Sequence, residues 1–226
     1  MKDSATYARK LTAHLRKLKQ KGPIHPEAPP DPATQLVQAF LMWDAPLKSA
    51  QAAYHRLMSA MVDTNDLRVS HPDEVVGVLG ERYPKAAERA GRMLDVLQEV
   101  FARAHAVSLD PLAKMGKKEA RAALDAMPGM VPYVSAMVVL RSFDGHAIPV
   151  DSRLAQLLVE EGLVDPEAAP EQVSSFLEHH VKAGEALDTF LRLQAWAEEK
   201  LEGRKTRDEA PEKSKGKSSK TKPQPR

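Results

Sequence analysis

The stretch MPGMVPYVSAMVVLRSFDGHAIPVD, from Met127 to Asp151, places a Pro-Gly turn, an apolar helical run and a carboxylate close together. Gly129 lets the backbone take positive φ and approach another group closely. The free N–H groups at the start of the next helix, opened by Pro132, favour an anion, and phosphate is the natural ligand. Lys114, Lys117, Lys118 and Arg121 gather just ahead of the turn and give that flank a positive field. An ordinary αα-hairpin would carry the same turn. Asp151 has a bland role open to it as well, because it or Ser152 can accept the free N–H groups of SRLAQLLVEE and cap that helix.

These residues are held by a chain that reads as nearly all helix. KDSATYARKLTAHLRKLKQ carries Tyr7, Leu11, Leu15 and Leu18 at helical spacing with a basic far face, and KGPIHPEAPPDP breaks it. ATQLVQAFLMW and LKSAQAAYHRLMSAM follow as helices parted by DAP, while HPDEVVGVLG and PKAAERAGRMLDVLQEVFARAHA begin with helix-start chemistry. DPLAKMGKKEARAALDAM then reads as one helical approach to the turn. MVVL and HAIPV are the only strand candidates. The expectation is an all-α, two-lobed domain over 32–202, preceded by a basic helix over 1–22 and a linker over 23–31, and followed by a disordered basic tail over 203–226.

Composition bounds the function. The 226 residues, 42% hydrophobic, can bury one good core divided into two lobes. With no cysteine, disulfides and cysteine-held zinc or iron–sulfur sites are excluded, and a reducing, cytoplasmic setting with nucleoid association is expected. The N-terminus has no apolar run of signal-peptide length, and no stretch of the chain is long and apolar enough for a membrane span. The net charge of +2 is unevenly spread: residues 1–22 hold seven basic residues against one acid, residues 203–226 hold nine against three, and the middle holds 17 against 27. Basic ends on an acidic middle favour a polyanion held through the ends, although EKSKGKSSKTKPQPR can equally be a solubilising extension.

Met127-Pro128-Gly129-Met130-Val131-Pro132-Tyr133-Val134-Ser135-Ala136, followed by Val150-Asp151-Ser152-Arg153-Leu154, resembles the helix–hairpin–helix DNA glycosylases of the endonuclease III superfamily. The resemblance is close from about Leu124 to Asp165 and diffuse over roughly Pro32 to Trp196. It implies a DNA N-glycosylase-like protein of base-excision repair, acting on duplex DNA as a monomer with no cofactor. Asp151 falls on the catalytic aspartate, which can stabilise an oxocarbenium-like sugar or help activate water. Tyr133 stands where lyase members carry a Schiff-base lysine, so glycosidic hydrolysis without lyase action is expected. The resemblance places Met127, Gly129 and Val131 at the DNA through the hairpin, with Lys117 and Lys118 beside it.

The chain departs from the family's pattern at three points. Val131 replaces the hairpin's second glycine. Asp44 falls on a glutamine that fills the gap left by a flipped base, and the four-cysteine cluster is absent. These departures, with the acidic middle, leave a non-catalytic DNA-binding or scaffolding descendant of the fold as the alternative. His179-His180 lack ligand spacing, so no metal site is expected, and Trp43 and Trp196 read as core.

The charge distribution makes the tail testable. Each phosphate neutralised contributes about −0.9 to the slope of log affinity against log salt. Deleting residues 203–226 is expected to flatten that slope by several of these steps on intact and lesion duplexes alike, as read by salt titration. An unchanged slope would show the tail to be only a solubilising extension.

Overall fold

Local chemistry starts most of the helices. Asp31 accepts the N–H groups of Ala33 and Thr34, both at 3.1 Å, at the head of a helix that Pro32 opens, and His71 with Glu74 forms a capping box before Pro72. A computed structural model describes residues 4–208 as twelve α-helices, with a short 3₁₀ turn at Ala183–Glu185 and no β-strand among the described residues. They are α1 (Ser4–Lys19), α2 (Pro32–Met42), α3 (Leu47–Ala60), α4 (Thr64–Val69), α5 (Pro72–Leu79), α6 (Ala86–Ala104), α7 (Asp110–Ala113), α8 (Lys117–Asp125), α9 (Pro132–Ser142), α10 (Ser152–Glu160), α11 (Pro170–His180) and α12 (Ala186–Asp208). No described helix is long and apolar enough to cross a membrane.

The apolar helix α9 holds the molecule together. It packs on α2 and α8 in one lobe, built from α2 to α9, and on α12 in the other, built from α1 and α10 to α12. Val134 to Leu140 are all buried, so α9 serves both lobes as core. Trp43 and Trp196 are buried as expected, at 8% and 5% exposure.

Several boundaries differ from the sequence reading. DPLAKMGKKEARAALDAM is two helices, α7 and α8, parted at Lys114–Gly116, because Gly116 takes an extended conformation as the cap of α8. MVVL lies within α9. HAIPV is loop rather than strand, buried from Ala147 to Val150: the Ile148 N–H donates to Glu178 at 3.1 Å and its carbonyl accepts Ser174 Oγ at 2.7 Å, so α11 side chains replace a strand partner. The basic helix α1 packs on α12 through Leu11 and Leu18, with Lys19–Glu185 and Lys21–Glu199 ion pairs at 2.5 Å. It therefore belongs to the second lobe. At the other end α12 continues to Asp208, so a truncation that keeps this helix whole ends there, and the remainder of the tail lies outside the described residues.

The hairpin glycine is held by protein. Gly129 has φ +79°, and a Cβ there would stand 2.7 Å from the Arg92 carbonyl oxygen of α6. Beneath the hairpin lobe, Arg89 of α6 is fully buried. Its guanidinium donates to the carbonyls of Phe40, Trp43 (2.5 Å) and Pro84 (2.9 Å), closing the C-terminal end of α2. Arg89→Met is expected to leave these acceptors unpaired and to cost more than about 3 kcal/mol of stability. Urea unfolding measures this, and a loss below about 1 kcal/mol would show that Arg89 does not carry that end of the helix.

Candidate active site

The turn after α2 and the start of α10 clasp each other through two carboxylates. Asp44 sits at φ +52°, a left-handed conformation that Asp tolerates. Its backbone N–H donates to Asp151 Oδ2 at 3.1 Å, while its own Oδ1 accepts the Ser152 N–H at 2.9 Å and Ser152 Oγ at 2.6 Å. The remaining Asp44 oxygen pairs with Lys85 Nζ at 2.7 Å, and that ammonium lies 4.2 Å from the centre of the Trp43 ring. Asp151 Oδ1 accepts the Leu154 N–H at 2.8 Å, which is the helix cap considered from sequence.

Burial sets the electrostatics of this pair. Asp151 is 8% exposed, and desolvation pushes its carboxyl above the ordinary aspartate value despite the Leu154 N–H. Burial also pushes Asp44 upward, but Lys85 and Ser152 overcome it and hold that carboxyl below its ordinary value. Tyr133, at the start of α9, is buried and lines one cavity with Asp151. Desolvation first, then the Asp151 charge, raises its phenol well above the usual tyrosine range. Tyr133 at neutral pH is therefore a neutral phenol that can donate a hydrogen bond.

Tyr133, Asp151 and Arg153 line a cavity of about 30 Å³, walled on its other side by Met42, Phe190 and Gln194. That is the room of one water molecule. Arg153 is drawn away from Asp151, donating to the Ala45 carbonyl and pairing with Glu198 at 3.1 Å.

Met42, Phe190 and Gln194 also border a second, far larger space. A cleft of about 810 Å³ opens between the lobes, bounded by α2, α3, α9, α12 and the segment around His25. Sequence reading missed its polar lining: Gln35, Gln38, Gln51, Gln194 and Arg141. A faint signal existed, since Gln35 stands beside Leu36 and four residues before Ala39 on a helix otherwise buried there.

The structure joins Asp44 to Asp151, sets Tyr133 and Asp151 around one small cavity, and leaves Met127, Gly129 and Val131 outside it. Asp44 is not free to enter a gap in a duplex, because its carboxylate is buried and fully engaged. Met127 and Val131 turn their side chains into the core, at 4% and 7% exposure, so the hairpin offers backbone rather than side chains. Among the described residues, the N–H groups of Gly129, Val131 and Tyr133 have no partner in the chain. Lys118 is exposed at the start of α8, and Lys117 beside it donates to the Asp144 carbonyl after α9. Among the described residues no group of three or more His, Asp or Glu is placed to hold a metal ion.

No protein-family model matches this chain, and no curated protein matches it by sequence. Solved structures do. The fold is that of the helix–hairpin–helix DNA glycosylases. Endonuclease III in a trapped covalent intermediate with DNA superposes with a TM-score of 0.66 over 83% of this chain and 84% of that one, at 15% identity. An 8-oxoguanine glycosylase/lyase of Clostridium acetobutylicum, bound to duplex DNA with cytosine opposite 8-oxoG, gives 0.67 over 88% and 71%, also at 15% identity. A thermostable thymine-DNA glycosylase gives 0.59 over 86% and 88%, at 17% identity.

The Asp44 clasp has a pH signature. A carboxyl depressed in the fold contributes stability that is complete above its unfolded value near 3.8 and is lost as pH falls through the lower folded value. Asp44→Asn is expected to cost about 1–3 kcal/mol at pH 7. That gap should narrow as wild type is acidified below 3.8. Urea midpoints from pH 7 to pH 3 check this, and a gap independent of pH would rule the charge out as the source.

Proposed function

We propose that this protein is a DNA N-glycosylase of base-excision repair that hydrolyses the glycosidic bond of a damaged or mispaired base without lyase action. The observation that carries the reading is the adjacency of the two cavities: the interlobe cleft and the Asp151 cavity are parted by the shared walls Met42, Phe190 and Gln194. A base extruded from duplex DNA into the cleft leaves its sugar facing Asp151. Two protein N–H groups fix the Asp151 carboxylate, and its remaining lone pairs can face a developing oxocarbenium ion or a water. The small cavity has room for that water, and the Tyr133 phenol lies beside it.

The hairpin would bind the DNA backbone through the unpaired N–H groups of Gly129, Val131 and Tyr133, with Lys118 adding charge. The chain would work as a monomer in a cytoplasmic, nucleoid-associated setting. Tyr133 has no amine, so it can form no imine with the sugar.

The non-catalytic DNA-binding reading is favoured by one observation. Asp151 is 8% exposed behind a space of only about 30 Å³, so catalysis requires the half-buried Met42 and Gln194 side chains to part.

Base release from a panel of lesion duplexes separates the two readings. Wild type is expected to release base, and Asp151→Asn to lose nearly all of that activity. The variant keeps the cap on α10 but loses one of two N–H contacts, for about 1 kcal/mol of stability. Borohydride should trap no covalent adduct. Absence of base release from every duplex, with lesion-independent binding, would establish the non-catalytic reading, and an adduct lost on mutating a lysine elsewhere would show a different nucleophile.

A further inference from the structure

We infer that the interlobe cleft reads an uncharged nucleobase through glutamine carboxamides and rejects a cationic one. This rests on the proposed function and names the class of base the site takes. Gln35 is the key residue. It is 3% exposed, on the face of α2 that borders the cleft, and among the described residues its carboxamide has no partner in the protein. The buried side-chain atoms without a partner among the described residues are His14 Nε2 and Ser142 Oγ, so the Gln35 carboxamide is not sealed in the core: its polar atoms stay open to the cleft and are free to pair with a ligand.

Three more carboxamides border the same space without protein partners among the described residues. Gln38 lies three residues along α2 from Gln35, Gln51 stands at the rim on α3, and Gln194 faces them from α12. A carboxamide is both donor and acceptor, and its natural complement is an edge with adjacent N–H and C=O groups, which neutral bases present. Gln194 also borders the Asp151 cavity, so a base held by these amides lies next to the carboxylate.

The charges around the cleft decide against a cation. Arg141 of α9 lines it and donates to the Glu27 backbone carbonyl at 3.3 Å, not to a carboxylate. Glu27 is the one acid in the lining, and it is exposed at the rim; His25 and His55, also exposed, add no negative charge. A base made cationic by alkylation would meet the Arg141 charge in a lining whose one carboxylate is the exposed Glu27, while Asp151 lies in the adjoining cavity on the sugar side, behind Met42 and Gln194.

Full-length protein can be titrated with matched duplexes that are intact or carry, at one site, a tetrahydrofuran abasic analogue, a neutral base (5,6-dihydrothymine, uracil, hypoxanthine or 8-oxoguanine) or cationic 7-methylguanine. Anisotropy reads affinity. Methyl signals of Met42 and Met137, both in the cleft lining, read occupancy. At least one neutral base is expected to bind about tenfold tighter than 7-methylguanine and to shift both methyl signals. Gln35→Leu should remove roughly tenfold of that preference while leaving tetrahydrofuran affinity unchanged, and Gln38→Leu, at a half-buried site less critical to folding, should do the same in part. Tighter or equal binding of 7-methylguanine, or full neutral-base preference in both variants, overturns the inference. If neither the abasic nor any lesion duplex is preferred to the intact one, the proposed function itself fails and takes this inference with it; a preference for the abasic duplex without neutral-base selectivity overturns the inference alone.

Discussion

The C-terminal end of α2 is buried, and its carbonyls cannot reach bulk water. An α-helix always ends with carbonyls that have no partner within it, so a buried end must be paired from elsewhere. Arg89 takes the oxygens of Phe40 and Trp43, Tyr83 Oη takes that of Leu41 at 2.7 Å, and Arg153 takes that of Ala45 in the following turn. Those partners come from α6, from the segment before it, and from α10. One helix end thereby fixes three separate parts of the chain around the candidate site.

Asp151 inherits its environment from this arrangement. With the turn after α2 immobilised, Asp44 can present both its N–H and its carboxylate to the start of α10, and Asp151 and Ser152 answer with a carboxylate and two donors. Helix capping and chemistry are compatible here because they use different lone pairs of the same carboxylate. The same burial that raises the Asp151 pKa also closes the space in front of it. Rigidity of the clasp and access to it are opposed, and the side chains shared with the interlobe cleft are where that opposition can be relieved.

The charge pattern changes meaning once α1 is seen on α12. A basic segment that spends Lys19 at the end of α1 and Lys21 just after it on Glu185 and Glu199 offsets part of the acidic middle within the protein, and Arg192 of α12 reaches the carbonyls of Leu18 and Gly22 at 3.0 and 2.9 Å. Such exposed ion pairs contribute little stability, and it is the burial of Leu11 and Leu18 that anchors the helix.

The sequence by itself determined the helical order, the Pro-Gly hairpin and the succession of Tyr133 and Asp151, because helical periodicity, turn chemistry and caps are short-range properties. It also marked Asp151 as a helix cap, and the cap is present. Tertiary structure alone decided the direction of Asp44, whose partners lie at Lys85 and Ser152, and the role of Arg89, whose acceptors lie 46 and 49 residues away. A trace of Arg89 was visible as a charge among the buried positions Ala86, Ala90 and Met93, yet nothing local says what a buried cation will meet. The cleft and its glutamines were equally hidden, since a cavity belongs to the gap between α2, α3, α9 and α12 and to none of them singly. Buried polar groups must find partners wherever the fold brings them, and that meeting is a property of packing.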